Sequence, residues 1–154
     1  MSGISHLHAD PLPWLIEERD PAVRFLALRD LVGLDDTQAE LRDARRQAYR
    51  RGPIAAILEA MDDEGFWEVP GPGYNPKYRA TVWSVILLAQ LGARIEVDSR
   101  VERACSYLLS HTLTAGGQFT ASGAPSGTAD CLQGNLCWAL LELGCEPASL
   151  EHAF

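Results

Sequence analysis

Residues 61–92 read MDDEGFWEVPGPGYNPKYRATVWSVILLAQLG, and residues 113–144 read LTAGGQFTASGAPSGTADCLQGNLCWALLELG. Laid over one another, they keep a constant spacing. Gly65 and Gly117, Trp67 and Phe119, and the Leu-preceded Gly92 and Gly144 all lie 52 residues apart. Each stretch is a glycine-rich loop with an aromatic, then an apolar helix, then Leu-Gly. A period of this size points to stacked or circularly arranged helix pairs. The helices at 80–91 (ATVWSVILLAQL) and 136–143 (LCWALLEL) are apolar nearly all round. A helix of that kind has to be covered on every side. Between them, residues 98–110 set Val101, Ala104, Cys105, Leu108 and Leu109 at helical spacing and keep Arg100, Glu102 and Arg103 elsewhere, as a one-faced surface helix does. Covered and surface helices therefore alternate, which suggests two concentric layers.

Helix start and stop signals extend this pattern outward. Asp20-Pro21 and Asn75-Pro76 each offer an N-cap with proline at the first helical position. Thr37 with Glu40, Ser99 with Glu102 and Asp130 with Gln133 have capping-box spacing. Gly33, Gly92 and Gly144 follow apolar runs, where a left-handed terminating glycine belongs. These signals predict helices near 11–19, 21–32, 38–51, 53–62, 77–91, 98–110 and 130–143. No segment sustains period-2 alternation, so the expected class is all-α with almost no sheet. Residues 11–33 carry DPAVRFLAL, the DPAVRxxAL pattern of HEAT-like helix pairs. The expected organisation is a HEAT-like N-terminal helical cap over 1–52, followed by two helix-pair repeats over 53–154 in one continuous helical domain.

The composition excludes several classes. A chain of 154 residues with 47% hydrophobic and 22% charged residues has enough apolar content for a packed core. Its net charge of −8 argues against a nucleic-acid partner, since a duplex binder must neutralise phosphates. No apolar run approaches the roughly 18 residues of a spanning helix. The N-terminal MSGISHLHADPLPW lacks the basic and apolar regions of a signal peptide. Cys105, Cys131, Cys137 and Cys145 form no CxxC pair and read as reduced thiols, so a cytoplasmic location is expected.

The two loops, 63–75 and 112–129, are long enough to suggest function, and both deliver chain to the N-terminus of a covered helix. Such an end suits anions and carbonyl oxygens. At the first junction, Lys77 and Arg79 beside Tyr74 and Tyr78 either grip a phosphate or carboxylate or are solvated loop-end charges. At the second, Asp130 and Cys131 are the acid-base candidates. A first-turn thiol is favoured as thiolate, and the plainer alternative is a small buried side chain with Asp130 as N-cap. Asn135 and Gln133 are polar residues near an apolar helix and need partners if buried. Gly134 reads as a close-packing position. Trp67, Trp83, Trp138, Tyr74, Tyr78 and Phe119 either wall an aromatic cavity able to stabilise a cation or pin loop to helix. Arg42, Arg46 and Arg50 form a stripe best read as a solvated face. Cys131 and Cys137, six apart, do not face one site, and His6, His8, His111 and His152 lie near the termini or at a helix end, so no metal and no cofactor is expected; the alternative is a zinc site of Asp130, Cys131 and a histidine.

MDDEGFWEVPG followed by a helix ending LLAQLG resembles the repeat of the squalene-cyclase and prenyltransferase superfamily, in which a Gly- and Trp-bearing turn joins the paired helices of an α/α toroid. GGQFTASGAPSGTADCLQGNLCWALLELG is similar to a more divergent copy. YNPKYRATVW and CLQGNL resemble small bacterial squalene-cyclase-like proteins. The likeness covers roughly residues 53–145. It implies an arc of an α/α toroid and a terpenoid-cyclase-like or isoprenoid-binding protein. In that reading Asp130 and Cys131 are the polar chemistry, and Lys77 and Arg79 are diphosphate anchors. Trp67, Tyr74, Tyr78, Phe119, Asn135 and Trp138 surround an apolar ligand. The chain has no DxDD acid motif, and Asp130-Cys131 matches the zinc pattern of prenyltransferases only loosely. A complete toroid needs more helices than these, which implies a longer chain or association with itself or another protein. The alternative is a non-catalytic helical-repeat interaction module.

Overall fold

Helices form where the apolar spacing is helical, and little else forms. The computed structural model describes residues 9–153. His6, His8 and most of the N-terminal stretch weighed above as a leader fall outside them, as does Phe154. Among the described residues there are seven α-helices: α1 (Leu12–Leu15), α2 (Pro21–Ala27), α3 (Ala39–Arg50), α4 (Pro53–Glu59), α5 (Thr81–Gln90), α6 (Ser99–Thr112) and α7 (Asp130–Leu143). There is no strand among them, only isolated bridges between Leu113 and Phe119 and between Thr120 and Thr128. Among the described residues, no helix is long and apolar enough to cross a membrane. The chain divides into two compact units, with the division inside α4 between Ala56 and Ile57.

In the first unit, Asp20 caps α2 by accepting the Ala22 and Val23 amides at 3.2 Å, and Pro21 sits in the first turn. The helix expected over 21–32 changes pitch. After Ala27 it continues as a π-helical turn, Leu28–Val32, and stops at left-handed Gly33. The expected helix at 11–19 is only Leu12–Leu15. α2 packs on α3 through Ala22, Phe25, Leu41, Ala44 and Ala48, all buried. Arg29 and Arg45 lie over the Phe25 ring at 5.5 and 5.3 Å, and Arg45 pairs with Asp36. Arg46 pairs with Asp43, and Arg42 donates to the Asp36 and Thr37 carbonyls.

In the second unit, α5 packs against α7 and also against α6. The same backbone hydrogen bonds recur 52 residues apart. Asp62 N donates to Phe66 O and Thr114 N to Gln118 O; Gly65 N donates to Asp62 O and Gly117 N to Thr114 O. At the helix ends, Ala93 N donates to Leu88 O and Cys145 N to Leu140 O. The pattern runs on: Val97 N to Arg94 O and Val101 N to Asp98 O are matched by Ser149 N to Glu146 O and Ala153 N to Leu150 O. Residues 146–153, which include a 3-10 turn at Pro147–Leu150, thus follow the backbone course that leads into α6. Gly65 and Gly117 hold φ of 101° and 87°, and a Cβ there would lie 2.8 Å from the Arg103 carbonyl oxygen or 2.3 Å from His152 Cβ. Only glycine meets both the left-handed backbone and the close approach.

Several expected caps differ. α5 begins at Thr81, not residue 77, because Pro76–Arg79 form a separate turn in which Tyr78 has φ 68°. α6 is capped by Asp98, not Ser99, and α3 and α7 begin after Gln38 and Ala129 with no side-chain cap. Asp130 is therefore the first residue of α7 rather than its cap.

Candidate functional site

The two long loops are fastened to the helices they precede by one device with two chemistries. Trp67 N donates to Thr81 Oγ1 at 3.2 Å. At the matching positions, Phe119 N donates to Gln133 Oε1 at 2.8 Å, and Gln133 Nε2 returns a bond to Phe119 O at 2.6 Å. Trp67 and Phe119 themselves are buried, and the Trp67 indole N–H donates to Ile57 O at 2.8 Å. Both act as struts between loop and helix, and neither lines the two depressions described next.

The first depression is a crevice of about 90 Å³ between α5 and α7, lined by Tyr74, Val82, Trp83, Ile86, Leu132 and Asn135 with Cys131 and two alanines. Trp83 organises its rim. Its indole N–H donates to Tyr74 O at 2.8 Å, and its ring meets Tyr74 and Tyr78 at centroid distances of 5.1 and 4.9 Å. Lys77 Nζ lies 5.1 Å from the Tyr78 ring and 5.8 Å from that of Trp83. Arg79 turns away and pairs with Glu68 at 2.7 Å. Lys77 and Arg79 are therefore engaged with different groups, a ring pair and a carboxylate. Cys131 is exposed in the first turn of α7, so the alternative of a buried small side chain is corrected. Asn135 is exposed as well and needs no internal partner.

The second depression is a groove of about 790 Å³ along the other side of α7. Asp130, Gln133, Gly134, Cys137, Trp138 and Leu141 of α7 line it, and beside them lie Gly116 and Gln118 of the second loop with His152 and Ala153, the loop and His152 being in contact at Gly117. Trp138 is 43% exposed and Leu141 37%. This corrects the expectation that a helix apolar all round is covered all round: α7 is covered by α5 on one side and lies open on the other. Leu87 of α5, at 43%, is exposed too. Gly134 is not a close-packing position either, because a Cβ built there meets nothing within 4 Å. Cys137 forms part of the groove floor and is buried; its thiol donates to Ala153 O at 3.9 Å, and burial pushes its pKa up. Leu141, Gly134 and His152 were not singled out from sequence as ligand contacts. Their signal was present in the i, i+4, i+7 spacing of Gly134, Trp138 and Leu141, which an all-apolar reading of the helix hides.

Among the described residues, no three His, Cys, Asp or Glu side chains gather where a metal ion could be held. Asp130 and Cys131 are adjacent in sequence but line different depressions, Asp130 the groove and Cys131 the crevice. Compared with family models, with curated proteins and with solved structures, the chain matches none of them.

Proposed function

We propose that this chain is a non-catalytic helical-repeat interaction module, an arc of an α/α toroid of squalene-cyclase-like kind with a HEAT-like cap, that binds a protein partner through α7. One observation carries the reading. α7 turns Gly134, Trp138 and Leu141 toward an open groove, while the residues 52 positions earlier on α5 are Val82 and Ala89, both buried, and Ile86, half-buried. An apolar helix face left open at a place where its counterpart is covered marks an interaction surface. The chemistry around it supports binding rather than turnover, since the two acid-base candidates line separate depressions.

The isoprenoid-binding reading rests on the crevice, whose lining is mainly aromatic and aliphatic. At about 90 Å³ it is well below the roughly 300–1,000 Å³ of small-molecule sites, whereas the α7 groove, at about 790 Å³, falls inside that range, so a ligand is tested for at both depressions. Two measurements separate the readings. A photo-crosslinking phenylalanine analogue in place of Trp138, in the native host, is expected to yield one discrete protein adduct that disappears in Gly134→Leu. Farnesyl diphosphate is expected to leave the thermal midpoint unchanged, since only a bound ligand raises it by mass action. A midpoint that rises with the diphosphate and stops rising in Lys77→Ala, with no adduct at position 138, overturns the protein-binding reading.

A further inference from the structure

We infer that Tyr78 and Trp83 form a binding site for a quaternary ammonium head, and that Lys77 is its stand-in within the chain. The site lies at the rim of the crevice and is independent of the protein-binding reading of α7. Lys77 is the only lysine of the chain. Its Nζ lies 5.1 Å from the centre of the Tyr78 ring and 5.8 Å from that of Trp83, both within the reach at which a ring face attracts a cation. Among the described residues, no ion pair or hydrogen bond holds that nitrogen; Glu68 is taken by Arg79 at 2.7 Å. The two rings already hold a cation, and that cation is a poor match for them. A primary ammonium is strongly hydrated and has N–H donors to satisfy, which aromatic faces do little for. A head whose nitrogen carries methyl groups has no donor, and the same faces suit it better.

Backbone strain points to the same place. Among the described residues, Glu68 and Tyr78 are the non-glycine residues with left-handed backbone, at φ 66° and 68°. A bulky residue adopts that conformation at a cost and keeps it only where the surrounding structure requires it. The two are joined through Arg79, which pairs with Glu68, and the turn that carries Tyr78 is closed by Arg79 N and Ala80 N donating to Pro76 O at 3.2 and 3.1 Å. The result is a Tyr78 ring set against Trp83 at 4.9 Å and 56°, yet 72% exposed. Burial does not account for an exposed ring held in that way. A face kept open for a ligand does.

Trp83 is fixed by contacts of its own. Its indole N–H donates to Tyr74 O at 2.8 Å, and the Tyr74 ring lies 5.1 Å from it. Both walls of the site are thus held before a ligand arrives, whereas the Lys77 ammonium rides on a flexible stem and can swing away. A net charge of −8 favours the approach of a cation to the chain. A quaternary ammonium that displaces Lys77 leaves that ammonium to water, where it is well hydrated, so the exchange strands no charge.

The test labels the full chain with 5-fluorotryptophan, giving resonances for Trp14, Trp67, Trp83 and Trp138, assigned through Trp67→Phe, Trp83→Phe and Trp138→Phe. The probe is tetramethylammonium chloride, titrated against sodium chloride at equal ionic strength. The Trp83 resonance is expected to move saturably while those of Trp67 and Trp138 stay. Lys77→Met removes the competing ammonium and keeps the stem, and is expected to lower the half-saturation concentration by about two- to fivefold. Tyr78→Leu is expected to raise it by at least as much, with an unmoved Trp67 resonance reporting an intact fold, and Tyr78→Phe, which keeps the ring, is expected to leave it near the parent value. Choline and its neutral isostere, with carbon in place of nitrogen, isolate the charge: choline is expected to shift Trp83 and the isostere to leave it. A peptide bearing trimethyl-lysine is compared with choline, and the tighter of the two names the source of the head. A Trp83 resonance that stays still, or that answers sodium chloride or the neutral isostere as it answers tetramethylammonium, overturns the inference. So does Lys77→Met with an unchanged or raised half-saturation concentration.

Discussion

Replacing Gln133 with Leu removes both hydrogen bonds that fasten the second loop, the one accepted from Phe119 N at 2.8 Å and the one given to Phe119 O at 2.6 Å. Phe119 is fully buried, so its amide and carbonyl have little access to water as a substitute. An orphaned buried group costs about 1–3 kcal/mol, and two on one residue share part of the relaxation, so the expected loss is about 2–4 kcal/mol. With a urea dependence of about 2 kcal/mol per molar, the midpoint falls by about 1–2 M. Thr81→Val removes only the acceptor for Trp67 N and is expected to cost about 1–2 kcal/mol. Gln133→Glu separates the polar role from packing. Its carboxylate can accept from Phe119 N but sets its second oxygen against Phe119 O. Protonation restores the missing donor and raises the folded-state pKa above the unfolded one. The restored stability is full below the unfolded pKa and is lost as pH rises through the folded value. Urea titrations of the parent and three variants at pH 7, with Gln133→Glu repeated toward pH 4, read all of this. A Gln133→Leu variant within 0.5 kcal/mol of the parent (about the spread of neutral surface changes), or a Gln133→Glu deficit indifferent to pH, refutes the role given to this side chain.

Three further outcomes are expected. Gly134→Ala raises stability of the isolated chain by about 0.5–1 kcal/mol, measured by the thermal or urea midpoint, since the added methyl meets open space; destabilisation would mean the groove is filled. Asp98→Ala costs about 1 kcal/mol at pH 7, because Asp98 caps α6 through Arg100 N at 2.9 Å and holds the Arg100 guanidinium at 2.7 Å. The Arg100 hydrogen bond depresses the Asp98 pKa against its partial burial. That contribution is present above the ordinary carboxylate range and fades as pH falls through the native value, so the variant and parent converge in acid. With a thiol reagent, Cys131 and Cys145 react in the native chain, and Cys105 and Cys137 wait for denaturant. Cys105 and Cys145 interact, and that interaction with burial lifts the Cys105 pKa while lowering that of the less buried Cys145, so Cys145 alkylates at lower pH than Cys105. Mass spectrometry of the labelled peptides checks the order.

The all-helical class was legible because apolar spacing and left-handed glycines are local signals. Gly33, Gly92 and Gly144 end their segments as their positions imply. Helix starts were less legible. The Asn75-Pro76 signal marks a turn four residues early, and Asp130, Thr37 and Ser99 have capping spacing without capping, because loop geometry decides which side chain reaches the free amides. Aromatics at matching loop positions separated only in three dimensions, with Trp67 and Phe119 in the core and Tyr74, Trp83 and Trp138 at depressions. Composition could not show which side of α7 lies open, since Leu136 and Leu141 are alike as residues and differ only in their neighbours.

The most direct measurement is the solvent isotope shift of the Trp138 fluorine resonance in the free, monomeric chain, read against that of Trp67. A partial but clear shift between H₂O and D₂O at Trp138 beside little at Trp67 is the expected result, because one indole is 43% exposed over an open groove and the other is buried. A Trp138 resonance as protected as that of Trp67 would mean that the chain covers α7 by itself, and would contradict an open groove.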